Sequence, residues 1–467
     1  MTGAEVRGIE RVSETERKKS GGWDQIVFWF SVNLSFTSFA SGMLGTEFYS
    51  LSFKTSVAII MTMSLVGVAT TAWITTLGPK YGLRTMALAR FAGGWPGTFV
   101  FSVLNILTQL AYSVTVAIAG AQALHAVNED VSLIAGIILI SVVVMVLSVY
   151  GLNFVKIWER WAWILCFIIF MIIIGLGARG GYDVNKNNVT HDTGSDLIGD
   201  ILSYAGIYYS ISSGWTTIGA DYNVDLPANT PPMRSAVLTF IGIYVPIVAT
   251  AIMSCALLSI TNPDYIAAFE KDSLGGLIGK ILEPAGGFGK FLLVILMFSA
   301  VSCNIPNTYS GALSIQTLHP VFMKVPRVIY VILFTAVYLI AAIAGREHFG
   351  ELLSDFASLL SYWTAFFTVI MLLEFLWFRR KSGHLGPINP DNFNDFSKLP
   401  PGYACCGAIL VAIGGCVPAM AETWYTGPIA LMVATPYGGD LGFEFSAVFT
   451  FVSYLVFRNL EIRYFGR

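Results

Sequence analysis

The sequence predicts an all-α polytopic membrane protein with twelve transmembrane helices, ten of them forming a five-plus-five inverted repeat and two accessory to it. Three observations predict this class. Of the 467 residues, 55% are apolar and 12% charged, with a mean hydropathy of +0.68, whereas a soluble domain carries about 25% charged residues. Twelve stretches reach the length of about 20 mostly apolar residues that a bilayer crossing requires. Two of them, Ile26 to Gly45 and Ile201 to Ala220, are uncharged yet studded with hydroxyls and glycines, and they open the first and second sets of five. Interrupted helices at corresponding positions of two halves point to the binding site of an inverted-repeat transporter.

The elements follow in order. Residues 1–25 read as a cytoplasmic tail without the apolar core of a cleaved signal peptide, so the first span is expected to remain and to direct insertion. The first repeat, 26–178, holds spans near 26–45, 53–78, 95–127, 131–150 and 161–178. The second, 197–378, holds spans near 197–224, 235–260, 288–318, 327–345 and 350–378. A Pro-, Asn- and Asp-rich loop, 379–402, leads to accessory helices near 403–422 and 441–457, and 458–467 form a C-terminal tail. An even number of spans leaves both termini on one side. Twenty of the 27 Lys and Arg residues fall on that side, which makes it cytoplasmic, because Lys and Arg are retained there. Asn188, in the sequon Asn188-Val189-Thr190, then lies outside as a glycosylation acceptor. Five spans per repeat invert the second set, and the motion expected is one repeat rocking against the other about a midplane site.

Composition excludes several classes. A net charge of −2 lacks the concentrated basic surface that nucleic acid requires; the partners expected are a small molecule and the surrounding lipids. The six cysteines sit in apolar runs without the CxxC spacing of a metal or redox site, and all but Cys303 read as buried apolar side chains. No GxxxxGK[ST], HExxH or strand-borne GxSxG occurs, so no cofactor is expected and the chain does not read as an enzyme or an ATP-driven pump. Glu47, Asp200, Asp221, Asp225, Asp355, Glu374 and Glu422 lie near spans, most of them at span ends within reach of solvent.

Recognition residues are sought among the polar groups that remain. In the sixth span, Ser212, Ser213 and Gly214 precede Trp215, so Gly214 is the expected helix break and Trp215 a mid-membrane indole able to stack on a ligand ring. In the eighth, Pro306 removes the hydrogen bond to the Ser302 carbonyl and predicts a kink. Asn304 and Asn307 bracket it; their amides either bind neighbouring helices or read a heterocycle edge, and Asn307, one turn from Cys303 on one face, favours the second role. Ser31 and Asn33 share a face only if the first span unwinds there. The third span offers Gln109, Tyr112, Ser113 and Thr115, with Tyr112 too deep for an interfacial anchor.

These segments resemble the fungal purine-cytosine permease branch of the nucleobase:cation symporters over nearly the whole chain. The likeness runs through GIERVSETERK, FWFSVNLSFTSFASGMLG, GPKYGLRTMALARFAGG, KIWERWAW, GWTTIGADYNVDLP, NIPNTYSGALSIQTL, GGDLGFEF and LEIRYFGR. It implies a LeuT-type fold, proton-coupled uptake at the plasma membrane, and a substrate site lined by Ser31, Asn33, Trp215 and Asn307. Where the nucleobase carriers have Trp and Asn on the third span, this chain has Tyr112 and Val116, and it has Cys303 where they have Asn on the eighth. Losing two amides leaves fewer polar edges to be read. A purine or cytosine-type base, a B6-type vitamer and a less polar aromatic metabolite are the ligands this implies. A receptor that no longer transports is the alternative from another class, disfavoured by tails too short for a signalling domain.

Overall fold

Local backbone chemistry decides where this chain departs from straight spans. In the computed structural model, which describes residues 8–17, 23–150, 152–185, 194–380, 385–436 and 438–467, each of the twelve expected spans is helical. Asn188 lies outside the described residues. The first span comprises α1 (Trp23–Asn33), α2 (Phe36–Ser41) and α3 (Leu44–Glu47), and is followed by α4 (Phe53–Thr75) with its extension α5 (Leu77–Tyr81). Then come α6 (Thr85–His125), α7 (Leu133–Tyr150) and α8 (Leu152–Gly177). The sixth span is α9 (Ser195–Ser213) and α10 (Gly219–Asn223), followed by α11 (Pro232–Leu257), α12 (Pro263–Leu282) and α13 (Gly286–Leu318). After α14 (Arg327–Gly345), α15 (Phe349–Leu372) continues as a wider π turn, Leu373–Phe378. The accessory helix α16 (Tyr403–Cys416) leads through a two-strand hairpin, β1 (Ala421–Glu422) and β2 (Tyr425–Thr426), and α17 (Pro428–Val433) to α18 (Gly442–Phe465).

Among the described residues, eight helices are long and apolar enough to cross a membrane, and the bent pair Trp23–Asn33 and Phe36–Glu47 makes a ninth. Two of the remaining three spans are short apolar helices. The third is the broken α9–α10 pair, which has the hydroxyl-rich composition noted above.

The two interruptions have different causes. In the first span, Asn33 Nδ2 donates to the Trp29 carbonyl at 2.8 Å, and Ser35 turns extended (φ −125°, ψ 162°) to cap α2. The two halves meet at 57°, since short polar side chains offer the backbone alternatives to the helical ladder. In the sixth, α9 tightens into the 3-10 turn Gly214–Thr217, and Ile218 leaves helical geometry (φ −132°, ψ 1°). Ser31 therefore stays on an intact helix; the first interruption falls after Asn33. At Pro306 the helical assignment of α13 continues, from Gly286 to Leu318. The Tyr222 hydroxyl reaches the Pro306 carbonyl at 3.2 Å and Ser310 Oγ at 2.9 Å, which ties the sixth span to α13 beside the proline.

Two further features differ from the sequence reading. Gly94 (φ 58°, ψ −160°) separates an arm, residues 85–93, from the third span; a side chain there would meet the Pro400 carbonyl at 2.1 Å. Residues 8–12 of the expected tail pack on the helices: Ile9 and Val12 are 1% exposed, Val12 N–H bonds the Gly82 carbonyl at 2.9 Å, and Arg84 Nε bonds the Gly8 carbonyl at 3.0 Å.

The helices assemble in two four-helix groups. One packs α1–α3, α4, α9–α10 and α11 together; the other packs α6, α7, α13 and α14. Each group draws two spans from each repeat. The two repeats therefore interleave in the packing, each contributing helices to both groups. The broken spans belong to the first group and face α6 and α13 of the second.

Candidate substrate site

A cavity of about 590 Å³, its mouth included, lies between the two groups. Six of the residues expected at the site come together here: Asn33 from α1, Tyr112 and Val116 from α6, Trp215 from the 3-10 turn, and Cys303 and Asn307 from α13. Gly214, the expected break, also lines it. Ser31 does not. It lies two residues before Asn33 on a regular helix, which turns it about 200° away.

The Trp215 indole is held on two sides. Its Nε1 donates to Asn33 Oδ1 at 2.9 Å, and its ring meets Trp29 edge to face at 5.4 Å and 78°. Asn33 thus spends its oxygen on Trp215 and an N–H on Trp29, and its main effect is to fix the indole. Tyr112 packs edge to face on Phe356 at 4.8 Å. A Cβ on Gly214 would lie 2.6 Å from the Tyr112 hydroxyl, so only glycine lets α6 approach the break this closely.

Polarity is unevenly distributed over the walls. Val116, Ala300 and Cys303 form a small apolar cluster of their own. Asn307 lines the cavity and is 3% exposed, and among the described residues no partner takes up its carboxamide. Asn304, the other asparagine beside Pro306, instead turns to α6, with Nδ2 3.5 Å from the Ser113 carbonyl. No Asp, Glu, Lys, Arg or His is among the residues lining the cavity, so the chamber suits an uncharged ligand.

Sequence reasoning left Thr37, Ser38 and Ser41 out of the site and named Gln109 only among the polar groups of the third span; all four line it. The signal was present in FTSFAS, where Thr37 and Ser41 at i and i+4 share a face with Ser38. Gln109, Tyr112 and Val116 likewise follow a helical stripe on α6. The Gln109 Oε1 and Thr37 Oγ1 atoms are buried without a hydrogen-bond partner in the structure. Among the described residues no group of three or more His, Cys, Asp or Glu is placed to hold a metal.

A family model described as permease for cytosine/purines, uracil, thiamine, allantoin matches residues 11–392. The chain belongs to this permease family. The purine-cytosine permease fcyB of Emericella nidulans is 38% identical over 466 residues, covering 99% of this permease and 90% of that one. The vitamin B6 transporter TPN1 of Saccharomyces cerevisiae is 30% identical over 518 residues, covering 100% and 89%. Among solved structures, the nucleobase-cation-symport-1 transporter Mhp1, closed with bromovinylhydantoin bound, superposes with a TM-score of 0.73 at 16% identity over 99% of this chain and 95% of that one. The permease is thus an integral membrane transporter with the LeuT-type inverted-repeat fold, not an enzyme.

Proposed function

We propose that this permease takes up a small, planar, uncharged heterocycle across the plasma membrane together with a proton, by alternating access, with both termini in the cytoplasm. The observation that carries the reading is the cavity between the broken spans, which pairs a braced indole with buried amides and contains no charge. Trp215 supplies the face on which the ring stacks, Asn33 and Trp29 brace it, and Asn307 reads a polar edge. Tyr112 closes the wall opposite the helix break. A purine or cytosine-type base fits this arrangement.

The apolar cluster of Val116, Ala300 and Cys303 favours a second ligand within the same function. It faces the ring with methyl and thiol surface, which suits a heterocycle bearing a less polar edge, such as a B6-type vitamer. Uptake of radiolabelled hypoxanthine, cytosine and pyridoxine by a permease-null fungal strain, with and without a protonophore, tests both. Saturable, protonophore-sensitive accumulation of one of them is expected, and accumulation of none refutes the proposal. With no Asp, Glu, Lys, Arg or His among the residues lining the cavity, the reading assigns proton carriage to a group outside it. Digestion of an N-terminal epitope only in permeabilised cells tests the orientation, and a glycosidase-sensitive mobility shift lost in Asn188→Gln tests the outer loop.

A further inference from the structure

Gln109 is 1% exposed and lines the cavity from α6, one turn before Tyr112. Its hydrogen-bonding direction is dictated by a chain of neighbours. Ser314 Oγ donates to the Ser310 carbonyl at 2.9 Å, which uses its one proton, so towards Asn105 it can only accept. Asn105 Nδ2 therefore donates to Ser314 Oγ, at 2.7 Å, and Asn105 Oδ1 faces the other way. That oxygen accepts from Thr217 Oγ1 at 2.8 Å and from Gln109 Nε2 at 3.2 Å. With Asn105 so oriented, turning the Gln109 amide over alone would set two carbonyl oxygens against each other, and its Oε1 is a buried acceptor without a partner. The Thr217 hydroxyl divides its proton between Asn105 Oδ1 and the Gly214 carbonyl, 3.0 Å away.

An acceptor buried without a donor costs about 1–3 kcal/mol, and a lining position is where a ligand can supply the donor. We propose that Gln109 is a specificity-determining residue, accepting a hydrogen bond from a ring N–H, exocyclic amine or hydroxyl of the transported heterocycle. The inference rests on the heterocycle reading above and adds a chemical requirement to it. The ligand presents a donor towards the Asn105 end of the cavity, while the edge against Val116 and Cys303 needs none. A compound with only acceptors towards Gln109 sets lone pair against lone pair and is rejected. The position is set by α6 itself: Gln109 and Val116 are seven residues apart on one face, so the amide lies two turns from the apolar cluster.

The test uses competition against a transported tracer in intact cells. Unlabelled hypoxanthine and its 1-, 7- and 9-methyl derivatives, cytosine and 1-methylcytosine, and pyridoxine and 3-O-methylpyridoxine are compared in wild type and in Gln109→Met. Methionine keeps the volume and removes the acceptor, and Thr217 still occupies Asn105 Oδ1. In wild type, blocking one donor is expected to weaken competition roughly tenfold or more. In Gln109→Met, the parent compound should fall to the level of that methylated derivative, with KM raised and maximal rate retained. An unchanged parent-to-derivative ratio in the variant overturns the proposal. If the variant fails to reach the membrane, the wild-type scan decides alone: no position costing more than twofold also overturns it. Normal tracer uptake accompanying either result leaves the broader reading standing, whereas no uptake of any tracer strikes that reading first. In that case, ligand-induced thermal shifts of the purified wild type with the same parent and methylated compounds decide on Gln109. A shift with a parent compound that its blocked derivative loses supports the role; equal shifts, or none, overturn it.

Discussion

The cavity and the joint between core and accessory helices are both buried and polar, and they treat polarity in opposite ways. At the joint, Glu374 on the π turn after α15 accepts from Arg458 Nε and Nη2 at 2.9 and 2.8 Å, from Arg379 Nε at 2.6 Å and from Tyr454 at 2.9 Å. Arg458 Nη1 continues to Glu461 at 2.8 Å, and Glu461 receives the Gly402 and Ala404 amides at 3.0 and 3.2 Å. Both Glu374 and Arg458 have fully buried side chains. Four donated bonds take the place of solvent at Glu374. In the cavity, by contrast, Gln109 and Thr37 keep buried atoms unpaired. Saturated polarity fastens elements together, and unsatisfied polarity facing a void waits for a ligand.

The comparison can be broken most forcefully at the joint. Arg458→Ala leaves Glu374 buried with fewer partners, a loss of about 3–5 kcal/mol for a buried pair. A lower melting temperature of the detergent-solubilised protein and depleted surface protein are expected; wild-type stability would show that the cluster fastens nothing. Trp215→Ala should reverse the pattern, with uptake falling to background while surface level and melting temperature stay near wild type. Val116→Asn with Cys303→Asn moves the cavity towards greater polarity. Cytosine should then compete roughly tenfold better, and an unchanged inhibition constant would locate base selectivity elsewhere. Ser31→Ala is the smallest perturbation. Its hydroxyl is buried, unpartnered and off the cavity, so KM should not change and stability should hold within about 0.5 kcal/mol.

The scaffold was legible because its signals are long and additive. Apolar runs of about 20 residues and paired interruptions survive errors of several positions, and they yielded the helices and Gly214. The site was legible in part. Trp215 and Asn307 stand out as polar or aromatic groups in uncharged spans, whereas the contribution of Gln109 depends on whether Asn105 and Ser314 consume its hydrogen bonds. That depends on three helices and cannot be seen in a stretch of one. Ser31 misled for a simpler reason: the unwinding begins two residues after Asn33, and such offsets are below the resolution of composition.

The double load on Asn105 Oδ1 has a dynamic corollary. One of its two donors, Thr217, belongs to the broken span of the first helix group, and the other, Gln109, shares α6 with Asn105. Two donors on one acceptor compete: strengthening either weakens the other. A ligand N–H placed on Gln109 Oε1 polarises that amide and makes its Nε2–H a better donor to Asn105. On the proposed reading, a ligand on Gln109 would thus weaken the bond from Thr217, one of the ties between the two helix groups.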